Sequence, residues 1–95
     1  MITQIPSMVL VHNLNGTGDR DPSDDNTNWQ DWWEEHTNKR FKKCSRISCS
    51  NHAEVGAHVQ KDKGGDEWYI VPLCRKCNNK KESFYVDSND MEALH

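Results

Sequence analysis

The chain is short of nearly everything that lets a protein fold on apolar packing alone. Only 34% of its 95 residues are hydrophobic, and mean hydropathy is -1.01. No apolar stretch approaches the ~20 residues that cross a bilayer, which excludes a membrane-spanning helix as a partner for lipid. The longest such runs are Met8-Val9-Leu10-Val11 and Trp68-Tyr69-Ile70-Val71, four residues each. No signal-like stretch opens the chain, so the expected location is cytoplasmic. Cations are almost absent from the two ends. Residues 1–38 hold Arg20 alone against seven acids, and residues 82–95 hold four acids and no Lys or Arg. A core this thin rarely offsets the entropy of ordering, and small domains of this kind add a metal or disulfides.

Cysteine is also sparse, but its placement is informative. There are four, as Cys44-x4-Cys49 and Cys74-x2-Cys77. Pairs at such spacing turn two sulfurs toward one point, and two pairs complete a tetrahedral four-thiolate site for zinc. Four cysteines in 95 residues are too few for a secreted disulfide scaffold, the other use of such pairs. A site whose four positions are all protein is structural, so this zinc does no chemistry itself. The folded state is expected to depend on it.

The cations collect around these pairs. Residues 39–81 carry eleven against four acids. Five of the eight residues from Lys39 to Arg46 are basic, and Arg75, Lys76, Lys80 and Lys81 flank the second pair. A basic zinc module between acidic flanks fits a phosphate-backbone partner. Composition therefore divides the chain into an acidic N-terminal extension (1–38), a four-cysteine core (39–84) and an acidic C-terminal tail (85–95).

Periodicity places the elements. Met8–Val11 is rich in branched residues and reads as a strand. Asn15–Gly18 reads as a turn and Asp19–Thr27 as a loop. Thr27 and Gln30 form a capping box that opens a helix at about 28–38. Trp29, Trp32, Trp33 and His36 share one face of it, expected to pack as core. Val55–Gln60 alternates as a strand. Trp68–Val71 is a second strand, ended by Pro72, and the Lys61–Asp66 turn pairs the two as a hairpin. Arg75–Phe84 reads as a helix with Cys74 and Cys77 at its entrance, and Asp87–His95 is expected to fray.

A cysteine pair, a hairpin, then a second pair opening a helix is the ββα-metal or treble-clef order. The residues Cys44-x4-Cys49, Gly56-Ala57-His58-Val59 and Trp68-Tyr69-Ile70-Val71-Pro72-Leu73-Cys74-x2-Cys77-Asn78-Asn79-Lys80 together resemble the zinc-stapled branch of the HNH endonuclease family, over about residues 40–84. The fold class this implies is α+β: a small zinc-stabilised treble clef with the Trp-bearing helix packed on it. The resemblance implies a nuclease that hydrolyses phosphodiesters of nucleic acid. In it His58 is the general base, and a second divalent ion (Mg2+, Mn2+ or Ni2+) is held at Asn78, or at Asn79 in a shifted register. Lys42, Lys43, Arg75, Lys76, Lys80 and Lys81 would hold phosphates. The chain departs from the family at two places. Ala57 stands where many members carry a metal-binding Asp, and Tyr69 falls near the Asn that orients the histidine. The alternative is a zinc module that binds nucleic acid or a protein without catalysis.

Overall fold

Apolar residues at every second position of four strands define one buried layer. Val11, Val59, Val71, Leu73 and Val86 are each 0% exposed, and they form one cluster with Ala57, Phe84 and the four cysteines. In the computed structural model, which describes residues 7–14, 29–63 and 65–94, these strands belong to a five-stranded antiparallel sheet. Its strands are β1 (Met8–Asn13), β2 (Val55–Lys61), β3 (Trp68–Leu73), β4 (Phe84–Asp87) and β5 (Glu92–Ala93), in the order β4-β1-β2-β3-β5. Two helices accompany it, α1 (Trp29–Thr37) and α2 (Arg75–Asn78). The charge boundaries at 38/39 and 84/85 are boundaries of composition only, since the sheet runs across both.

The expected β2–β3 hairpin forms, in a register that sets Val55 opposite Leu73 and Gln60 opposite Trp68. Side chains alternate between faces along a strand. Val55, Ala57 and Val59 join the cysteine layer, and Gly56 and His58 turn to the other face. There α1 crosses β2 at close range. A Cβ built on Gly56 would lie 2.8 Å from Cβ of Trp29 and 2.9 Å from its carbonyl carbon. Only glycine permits this approach. We expect Gly56→Ala to lower stability by about 1–3 kcal/mol, as overpacking does, measured as a shift in the thermal midpoint. An unchanged midpoint would mean that α1 does not rest on β2.

Within α1 the tryptophans divide. Trp33 is 2% exposed, meets Phe41 edge-to-face at 5.4 Å, and donates from Nε1 to the Asp90 carbonyl at 2.8 Å. Trp29 and Trp32 are half-buried. His36 is exposed and stacks on Trp32 at 4.1 Å, so this end of the expected core face lies at the surface. The helix ends on Asn38 at φ 58°, whose N–H donates to the Glu34 carbonyl (2.9 Å). Asn tolerates this left-handed cap better than most residues. Thr27, the turn at 15–18 and the loop at 19–27 lie outside the described residues.

Three expectations are corrected. Strand β3 does not stop before Pro72 but runs through it to Leu73. The Pro72 carbonyl accepts from Ser45 N (2.8 Å), on the side away from β2, so the N–H that proline lacks is not one that β2 requires. Helix α2 is a single turn and does not reach Phe84. Phe84 and Val86 are buried while Tyr85 is 51% exposed, a period of two that belongs to a strand. Residues 87–94 do not fray; His95 lies outside the described residues. Ser88–Asp90 forms a 3-10 turn capped by the Asp87 carboxylate, and β5 pairs with Tyr69 and Ile70 of β3. The turn is tied down by Trp33 Nε1–H, by Ser45 Oγ–H to Asp90 (2.9 Å) and by Lys39 Nζ to the Asn89 carbonyl (2.7 Å).

Candidate metal centre

Each cysteine pair is positioned by a different piece of backbone. Cys44 and Cys49 lie on a loop closed by hydrogen bonds from Cys44 N to the Asn51 carbonyl (2.9 Å) and from Cys49 N to the Arg46 carbonyl (3.0 Å). Ser48 takes φ 71° to turn the second sulfur inward. Cys74 ends β3 in extended conformation, and Cys77 sits in α2. Asn13 of β1 holds that single turn in place, its Nδ2 donating to the Cys77 and Lys80 carbonyls at 3.0 Å each.

The four sulfurs lie within 4.8 Å of one another, and all four cysteines are free and buried. Cys49 Sγ is 4.0 Å from Cys74 Sγ and 3.9 Å from Cys77 Sγ. A tetrahedron with Zn–S bonds of about 2.3 Å has sulfurs about 3.8 Å apart, so the spacing and the donor chemistry both fit a metal ion such as zinc. The thiols do not share charge evenly. Burial raises Cys77, and neighbouring thiols push it further, up to about 12. Burial likewise raises Cys44. At Cys74 burial also opposes ionisation, but hydrogen bonds from the Cys77 backbone, Asn51 and the adjacent thiols outweigh it and bring the group down to about 6. One thiolate is thus favoured and discourages the next. A bound dication removes that conflict. With four protein ligands the ion would have no open position for substrate.

The residues expected to form a nuclease site are not brought together. His58 is 4% exposed, with Trp29 edge-on at 4.7 Å and Trp68 at 6.1 Å. It lies on the α1 face of the sheet. Asn78 belongs to α2 on the cysteine face, where it lines a shallow cleft with Val55, Arg75 and Asn79. Tyr69 is opposite Val59 in the register, and its hydroxyl donates to Glu67 at 2.9 Å. Among the described residues, the four cysteines are the only group of three or more His, Cys, Asp or Glu close enough to hold a metal.

The expected phosphate-binding residues lie close to the cysteines along the chain. Lys42, Lys43, Arg75, Lys76 and Lys81 are exposed and Lys80 is half-buried. Each is within four residues of a ligand along the chain. Arg75 also reaches Glu54, Nε to Oε2 at 3.6 Å. Sequence reading missed three residues that shape the site: Asn13, Asn51 and Gly56. Asn51, two residues after a metal-ligand cysteine, carried a turn signal; Asn13, some thirty residues before the first cysteine, carried none. Comparison of the chain with protein families, with curated proteins and with solved structures gives no match.

Proposed function

We propose that the chain is a zinc-stapled module of treble-clef type that binds nucleic acid through the cations around its metal centre and does not cleave it. The observation that carries the non-catalytic reading is the enclosure of His58, 4% exposed with Trp29 edge-on at 4.7 Å. A general base must come within hydrogen-bond reach of the attacking water. His58 instead fills the space beneath α1, and the residue meant to share its metal lies across the sheet. The resemblance to HNH enzymes then reflects a shared metal-stapled frame, and a frame does not imply an activity. The order of elements supports that frame: a ligand pair, the β2–β3 hairpin, and a second pair where β3 meets α2. Binding is supported by Lys42, Lys43, Arg75, Lys76, Lys80 and Lys81, each within four residues of a ligand along the chain; four thiolates and one dication leave about -2 at the centre, which these cations outweigh.

The test is fluorescence anisotropy with labelled single- and double-stranded oligonucleotides across a salt series, with cleavage of the same strands followed in Mg2+, Mn2+ and Ni2+. Affinity is expected to fall steeply with salt, by about one unit of log-log slope per phosphate neutralised, and Lys76→Ala or Lys81→Ala each to reduce the slope by about 1. No strand scission is expected. Metal-dependent cleavage lost in His58→Gln, with the fold intact, would restore the nuclease reading. Salt-independent or absent binding would remove nucleic acid as the partner.

A further inference from the structure

One residue outside the ligand set touches both halves of the metal centre. The backbone carbonyl of Asn51 accepts from Cys44 N at 2.9 Å, and its side-chain Nδ2 donates to Cys74 Sγ at 3.6 Å. Cys44 belongs to the first pair and Cys74 to the second, twenty-three residues beyond Asn51. Asn51 is therefore the point at which the loop of one pair grips a sulfur of the other. An N–H···S bond is worth most when the sulfur is a thiolate, because hydrogen bonds to ionised acceptors are the stronger ones. The acceptor here sits at the end of β3 and is 1% exposed, so no solvent donor can take Asn51's place.

We propose that Asn51 is a positioning residue for the metal: it clamps the two cysteine pairs into register, holding the Cys44 backbone through its carbonyl and the Cys74 sulfur through its side-chain amide. This rests on the reading of the cluster as a metal site. Partners of ligands commonly set metal affinity, and their loss costs about 10–100-fold. The neighbouring His52, exposed like Asn51, pairs instead with Lys43 across an isolated bridge. It has no such role.

The test separates donor chemistry from loop shape. Asn and Asp both support local turns, but Asp presents only acceptors to a thiolate at neutral pH. Co2+ and Zn2+ affinities are measured by competition with a chromophoric chelator for the wild type, Asn51→Asp, Asn51→Ala, Asn51→Gln and His52→Ala. Thiolate-to-Co2+ charge transfer reports the ligand count. The expected order of loss is Asp, then Ala (about 10–100-fold), with Gln recovering part of it and His52→Ala unchanged. The Co2+ spectrum should keep its four-thiolate form in every variant that loads. A variant that folds only at higher metal concentration shows the same loss, since folding and metal binding are one equilibrium. Asn51→Asp binding as tightly as wild type would overturn the clamp, whatever Asn51→Ala does, and so would variants that all bind within twofold. No charge-transfer band in the wild type would overturn the metal reading and the clamp with it.

Discussion

Stripping the metal with a strong chelator is expected to unfold the whole chain, not only the cysteine loops. Burial leaves few apolar side chains to hold the sheet without the centre, and the four thiols are themselves members of its core cluster. Removing the ion leaves Cys74 inclined to ionise beside Cys44 and Cys77, which burial keeps neutral. The apolar layer would then enclose an uncompensated charge. Structural zinc in small domains supplies about 10–16 kcal/mol of apparent binding free energy, which is as large as the whole stability of a typical domain, about 5–15 kcal/mol. The measurement is a chelator titration followed by amide-proton dispersion and tryptophan fluorescence, with bound metal counted by elemental analysis. One equivalent per chain and a single transition are expected. Retained dispersion after complete metal loss would show that the apolar layer suffices by itself.

Trp33→Ala should be the most damaging single substitution away from the cysteines. Trp33 is the one α1 tryptophan fully enclosed, and it stacks edge-on with Phe41. Truncating a buried aromatic costs about 3–5 kcal/mol. Here it also leaves the Asp90 carbonyl without its indole donor. The damage should spread, because Asp90 belongs to the turn that also receives Ser45 and Lys39. Trp33→Phe keeps most of the stacking and loses only the donor, so about 0.5–1.5 kcal/mol is expected. Chemical denaturation of the metal-loaded protein measures both. If Trp33→Ala costs under about 1 kcal/mol, the contact between α1 and the C-terminal turn is not what holds the helix down.

Local signals were legible wherever one chemistry dominated. The two cysteine pairs were readable because ligand spacing is set by a tetrahedron, and β2 and β3 because side-chain alternation declares a half-covered strand. The α1 face was readable by its period, though not the division between enclosed Trp33 and exposed His36, which depends on where the helix crosses the sheet. Contacts between distant segments were not readable. Ser83-Phe84 looks like the end of a helix until β1 is found beside Phe84, and Glu92-Ala93 is too short to announce a strand. His58 shows the limit most clearly. Its neighbours in sequence suggested catalysis, whereas its neighbours in space, Trp29 and Trp68, come from residues 29 and 10 positions away. Glycine at position 56 decides this arrangement, and nothing in the local sequence says what will lie over it.

The position of β1 sets a timetable for making the protein. Of the described strands it is the first to be synthesised, yet Val11 must wait for Lys61 on one side and Phe84 on the other. Pairings that span so much chain close late, because their loop entropy falls due before the contacts that compensate it. The cysteine-bearing middle, by contrast, can be gathered by its ion as soon as Cys77 has emerged. Metal supply during synthesis therefore governs how long a bare apolar strand stays available to other nascent chains. Synthesis of the chain under a metal chelator is expected to show this topology as aggregation.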